Sequence, residues 1–159
     1  IAGRSHLNSC FWDSDTETYF FIAHNSTAHT GRASDIIAYC PAKQTAARMP
    51  TSTRSAHNIA VLEGSLYYCD SDRGRLMVNG TSVFECDKLL RGLSITTEHI
   101  FLGGSDICFD RELRRSSTPT LYVLDRRFAL LGSVEFPELG DIYEIRQFGG
   151  RDLAMSGCA

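Results

Sequence analysis

The side chains with most chemistry to offer stand singly along the chain: His6, Asn8, His57, Asn58, Arg91, Asp141 and Glu144. Neutral imidazole with amide and carboxylate oxygens is the ligand set that zinc takes, or calcium where oxygens dominate. His6 and His57 are the metal candidates in that set. The guanidinium of Arg91, if buried, needs a carboxylate partner, because an unpaired charge in the interior is costly. Asp141 or Glu144 would serve, and so would an anionic ligand. No H-x-H or H-E-x-x-H occurs, so a metal would have to draw its ligands one at a time from separate elements. Histidine and asparagine at such positions also tie down turn backbones by hydrogen bonding. Both readings stand at this point.

Other reactive patterns are missing. There is no G-x-S-x-G elbow for a hydrolase nucleophile. Gly103-Gly104-Ser105 lies at a strand end, lacks the Lys-Ser/Thr of a phosphate-binding loop and reads as a tight turn. The six cysteines, Cys10, Cys40, Cys69, Cys86, Cys108 and Cys158, contain no C-x-x-C pair, which disfavours a zinc knuckle or redox motif. Cys10, Cys40 and Cys69 fall in or at the end of apolar runs and read as small buried hydrophobes. That reading points to a cytoplasmic location. Asn25-Ser26-Thr27 and Asn79-Gly80-Thr81 match the glycosylation acceptor pattern, which often arises by chance.

The side chains that hold these groups in place belong to a chain of 159 residues, 43% hydrophobic and 22% charged, with net charge −3. That is the make-up of a globular domain, or part of one. No dense Lys/Arg stripe suggests nucleic acid. No apolar run approaches the ~20 residues that cross a bilayer, and no signal-peptide pattern is visible. Short apolar runs dominate instead, rich in β-branched and aromatic residues. They include Leu7 to Trp12, Thr18 to Ala23, Ile36 to Cys40, Ile59 to Leu62, Leu66 to Cys69, Leu121 to Leu124 and Ile142 to Ile145. Glu63-Gly64-Ser65, Ser71 to Gly74 and Asn79-Gly80 between them are hairpin-turn chemistry. No helical periodicity persists for three turns, so the chain is expected to be all-β.

Many runs are apolar on both alternating faces, as strands are when their sheets are covered above and below. The blades of a β-propeller meet that demand. The runs also recur in groups opening near His6, His57, Arg91 and Asp141, about 51, 34 and 50 residues apart, a propeller-like spacing once loop insertions are allowed. This predicts blades of four antiparallel strands: one over 5–54, a second over 55–89, a third over 90–139, and the first strand of a fourth within 140–159.

The stretch Ser55-Ala56-His57-Asn58, Gly64 to Ser71 and Gly74-Arg75-Leu76 resembles a blade of the six-bladed propellers, the superfamily of NHL-repeat, gluconolactonase and strictosidine-synthase-like proteins. Arg91-Gly92-Leu93, Phe101 to Ser105, Leu121 to Asp125 and Gly140 to Arg146 are similar to an uncharacterised bacterial branch of it. The resemblance covers roughly residues 5 to 150 and implies a fold more than an activity. In such a fold each blade's first strand lines a central channel, which would gather His6, Asn8, His57, Asn58, Arg91, Asp141 and Glu144 at one end. The connections Asn25 to Ser34 and Asp106 to Thr118 would crowd one face, the second with a short helix presenting Arg111, Arg114 and Arg115. Trp12 and the tyrosines would fill the spaces between blades.

The expected function is a module binding a small ligand or a protein partner on its loop-rich face, with neither nucleic acid nor membrane as partner. The alternative is a metal-dependent hydrolase or lactonase of the gluconolactonase type, with a calcium or zinc ion in the channel polarising a carbonyl or activating water. Three blades leave sheet edges to cover. The expectation is therefore a partial propeller, completed by further blades of a longer chain or by a second copy.

Overall fold

Asn79 and Gly80 both take positive φ, 48° and 84°, the backbone twist that lets a two-residue turn join right-twisted strands. Hairpins of this kind run through the computed structural model, which describes residues 7–25, 30–108, 110 and 112–148. The first four-stranded antiparallel sheet holds β1 (Leu7–Asp13), β2 (Thr18–Ala23), β3 (Asp35–Cys40) and β4 (Thr45–Pro50), in that order. The second holds β5 (Ala56–Leu62), β6 (Ser65–Asp70), β7 (Arg75–Val78) and β8 (Thr81–Glu85). The third holds β9 (Leu89–Ile95), β10 (His99–Ser105), β11 (Thr120–Asp125) and β12 (Leu130–Glu135). The protein is all-β, built from three sequential meanders.

The sheets stack through their first strands. Strands β1 and β2 contact β5, while β5 and β6 contact β9. Ile22 and Ile36 from the first sheet, Leu76 from the second, and Leu90, Ile95, Ile100, Leu102 and Leu124 from the third are fully buried in one continuous core. Each such side chain contributes about 1.5–3 kcal/mol through removal from water. Phe84 and Tyr122 (ring centroids 5.5 Å apart) and Tyr67 and Phe128 (6.5 Å) join the second and third sheets. The second sheet lies between the other two. Its double coverage explains why Tyr67, Tyr68, Cys69, Leu76 and Met77 are all buried.

The two outer sheets each turn an apolar face away from the core. In the first, Trp12 pairs across to Tyr19 and Tyr19 to Tyr39, while Cys10 pairs to Phe21 and Phe21 to Ile37. Directly opposed residues share a face, and this one is at most half-buried. In the third, Phe101 opposes Val123 and Leu121 opposes Val134; all but Val134 are half-buried, and Val134 is exposed. So Tyr67 and Tyr122 do fill a space between sheets, whereas Trp12 and Tyr19 lie on an uncovered face.

Three sequence expectations change. Strand β4 escapes an apolar-run reading because Thr45 to Arg48 are exposed at a sheet edge and need not be apolar. Residues 141–148 form no strand, although Ile142 to Ile145 reads as one of the apolar runs, since a strand requires a hydrogen-bonded neighbour. Gly103-Gly104-Ser105 is the end of β10 rather than a turn. Of the cysteines, Cys69 is fully buried, and burial pushes its thiol up to about 12. Cys10 is exposed, because its face of the first sheet has no cover, and Cys40 is half-buried at the end of β3. Cys158 lies outside the described residues.

Candidate functional site

Each first strand carries an irregularity near its start. Pairing skips Asn8 between Leu7 and Ser9, Asn58 between His57 and Ile59, and Gly92 between Arg91 and Leu93. A bulge bends its strand and re-aims the neighbouring side chains. Here the bulges also interlock the sheets. Ser9 Oγ accepts the Asn58 N–H at 2.8 Å, and Asn58 Oδ1 accepts the Gly92 N–H at 2.8 Å. Asn8 Nδ2 donates to the Ala56 carbonyl at 2.9 Å.

Between these bulged strands lies a cavity of about 480 Å³, lined by Asn8, His57, Asn58, Arg91, Tyr143, Glu144 and Arg146 among others. Asn8, His57, Asn58, Arg91 and Glu144 from the sequence set thus meet around one space. Asp141 does not line it. That carboxylate accepts from Ser117 Oγ at 3.0 Å and from the Tyr143 hydroxyl at 3.1 Å, and it borders a neighbouring cavity with Arg114, Arg115 and Tyr143. His6 lies outside the described residues.

Most of these polar groups are already engaged. The Nδ1 of His57 lies 2.7 Å from the Ser55 carbonyl and 2.8 Å from Ser71 Oγ. Protonated at Nδ1, the ring would donate to that carbonyl, which only accepts. Glu144 pairs with Arg146. Asn58 Oδ1 and Asn8 Nδ2 are used on the backbone contacts above, which is the turn-tying role, while the buried Asn8 Oδ1 has no partner among the described residues. Arg91 differs. Neither Asp141 nor Glu144 forms an ion pair with it, and its buried Nε has no hydrogen-bond partner among the described residues. Its guanidinium carbon stands 5.3 Å from the centre of the Tyr143 ring, a cation–π distance. Burial pulls its pKa below the ordinary arginine value and nearby Arg114 adds to that, while Tyr143, Asp141 and Asp72 act in the opposite sense.

Tyr143 and Arg146 were not singled out from sequence. Their signal was the run Ile142-Tyr143-Glu144-Ile145, which does put Ile142 and Ile145 against the glycines of the third sheet. A Cβ at Gly103 would lie 2.9 Å from Ile142 Cβ and collide with the Arg91 carbonyl, and one at Gly92 would lie 3.0 Å from Ile145 Cγ1. The glycines let segment 141–145 approach closely enough for Tyr143 to underlie Arg91. Ser105 Oγ fixes that approach by accepting the Ile142 N–H at 2.9 Å.

The long connections are each tied down by hydrogen bonds and ion pairs. Ser34 hydrogen-bonds with Thr51, Thr53 and Ala56, Arg54 N–H with Asp70, and Ser55 with Asp72. Farther along, Lys88 pairs with Asp106 and Ser117 donates to the Gly140 carbonyl. The second long connection contains a 3-10 turn, Leu113–Ser116, that carries Arg114 and Arg115; Arg111 lies outside the described residues. Arg114 Nε donates to the Cys108 carbonyl at 2.7 Å, so it is not merely a solvated charge.

Among the described residues, no three His, Cys, Asp or Glu side chains gather as a metal ligand set. The described lining does not fit a divalent cation, because the Arg91 guanidinium faces the same cavity. No helix among the described residues is long and apolar enough to cross a membrane. Neither a scan against protein-family models nor a search of curated proteins finds a match to this chain.

Proposed function

We propose that the chain is a set of three β-propeller blades acting as a binding module, with a small ligand held in the cavity between the first strands. One observation carries this reading: the bulged first strands of all three sheets, with segment 143–146, line a single cavity of about 480 Å³. That size falls in the range of small-molecule pockets. The loop-rich end offers a second surface, for a protein partner, beside Arg114 and Arg115. No described nucleophile–base pair supports a hydrolase, and the metal-dependent alternative has no described ligand cluster to rest on.

The apolar outer faces of the first and third sheets support a larger ring. Further blades from a longer chain, or a second copy, would cover them as the second sheet is covered here.

The test is a small-molecule screen read by thermal shift, with hits mapped by NMR. Hits that perturb His57, Arg91 and Tyr143 support the reading. A screen in which every hit maps elsewhere, or in which nothing stabilises the protein, would sink it. Calcium and zinc belong in the same screen, where a stoichiometric zinc- or calcium-induced shift at His57 would revive the metalloenzyme.

A further inference from the structure

The lining of the cavity is unequal in what it has left to give. Asn8, Asn58 and His57 each have a polar atom committed to backbone, and Glu144 is paired with Arg146. The Arg91 side chain forms no ion pair with a described residue, and its buried Nε has no hydrogen-bond partner among them. Arginine keeps its charge throughout the accessible pH range and presents a planar fork of donors. A half-buried guanidinium with unused donors leaves a desolvation cost that nearby protein groups do not offset.

We propose that the occupant of this cavity is a small anion whose carboxylate or phosphate group seats on the Arg91 guanidinium. This rests on the cavity being a ligand site and adds the chemical class of the ligand. Three arrangements favour an oxyanion over a neutral polar molecule. The Tyr143 ring centre, 5.3 Å from the guanidinium carbon, engages the charge without using any of its N–H donors. Burial lowers the Arg91 pKa and Arg114 adds to that, and the opposing effects of Tyr143, Asp141 and Asp72 do not fully offset it, so the protein leaves part of the cost of burying this charge unmet. The carboxylates nearest the site are occupied elsewhere, Asp141 by Ser117 and Tyr143 and Glu144 by Arg146. A bidentate charge-assisted pair with Arg91 would use its open donors and offset the cost of burying its charge. Asn8, Asn58 and His57 on the facing strands would contact the polar body of the molecule.

Calorimetric titration of the whole chain at low salt tests the idea with glucuronate, glucose and inorganic phosphate. Glucuronate and glucose differ by a carboxylate on one sugar frame. The expected result is binding of glucuronate or phosphate, with glucose weaker by roughly tenfold or more, the scale of a charged hydrogen bond. Arg91→Gln should lose that preference and Arg91→Lys should keep part of it. If glucose binds as tightly as glucuronate, the anion proposal fails while the cavity remains a ligand site. Undiminished anion binding by Arg91→Gln also overturns it. If none of the three probes binds, the anion proposal fails, and the wider screen then decides separately whether the cavity takes any ligand. The glucuronate–glucose comparison needs no variant, so it stands even if Arg91→Gln does not fold.

Discussion

Asn58 Oδ1 accepts the backbone N–H of Gly92 at 2.8 Å, a contact from the first strand of the second sheet to the first strand of the third. Its own N–H is taken by Ser9 Oγ of the first sheet, also at 2.8 Å. One residue therefore pins all three sheets at the rim of the cavity. It does so from a left-handed backbone, φ 50°, which asparagine tolerates better than most residues.

Asn58→Ala removes the acceptor and leaves a β-carbon in that left-handed conformation. The expected loss is about 1–3 kcal/mol, combining a stranded N–H with local strain. Asn58→Asp keeps both the acceptor and the tolerance for positive φ and should lose far less. Urea denaturation of the three proteins checks this. Equal stability of Asn58→Ala and the parent would mean that the inter-sheet contact contributes nothing.

Gly103 is the point of closest approach between β10 and segment 141–145. Gly103→Ala would set a Cβ 2.9 Å from Ile142 Cβ and against the Arg91 carbonyl, and overpacking of this kind costs typically about 1–3 kcal/mol. Adding Ile142→Ala removes the Cγ2 methyl, the closest part of the clash, and leaves the Ile142 Cβ and Arg91 carbonyl contacts. Partial recovery of the melting temperature is the expected outcome. Full recovery or none would show that the segment does not lie where Tyr143 can underlie Arg91.

Lys88 and Asp106 tie the base of the second long connection to the start of β9. Asp106 also accepts the Thr118 N–H at 3.0 Å. The Lys88 hydrogen bond, then that of Thr118, holds the Asp106 carboxyl below the usual carboxylate value against a small opposing effect of burial. A depressed folded pKa stabilises the native state above the unfolded value, about pH 4 for aspartate. That stabilisation disappears as pH falls through the lower folded value. Asp106→Asn should therefore melt earlier than the parent at pH 7 and converge on it in acid. A gap that stays constant down to pH 2 would contradict the assigned cause. The gap at pH 7 should be small, because Asp106 is 42% exposed and solvent screens such pairs.

Val134, 51% exposed on the uncovered face of the third sheet, and Leu131, 57% exposed on the same edge strand, should drive association of the isolated 17.6 kDa chain. Light scattering is expected to show a concentration-dependent mass above the monomer. Leu131→Lys with Val134→Lys should restore the monomer, since edge lysines oppose strand and sheet association. A parent chain that stays monomeric at high concentration would show that these faces need no cover.

Much of the fold was legible in the chain because strand chemistry is local. The turn at Asn79-Gly80 and the runs at Tyr67 to Cys69 and Leu121 to Leu124 announce themselves through residue type alone. Strand β4 was not legible, since an exposed edge strand such as Thr45 to Pro50 carries no apolar signature. Ile142 to Ile145 misled in the opposite direction. Its two isoleucines serve two packing contacts, against Gly103 and Gly92, without a partner strand to complete a ladder.

The candidate site divides in the same way. The sequence by itself determined that the chain is built from β-strands and which polar residues stand at the openings of its repeating groups. Those follow from side-chain periodicity and turn preference, which act over a few residues. Only the tertiary structure decided which of those residues are already committed. Asn58 is spent on Gly92, Asp141 on Ser117 and Tyr143, and Glu144 on Arg146, while Arg91 is left over Tyr143 with donors to spare. Hydrogen-bond partners and burial depend on which sheets come together, and that is set by contacts between residues far apart in the chain.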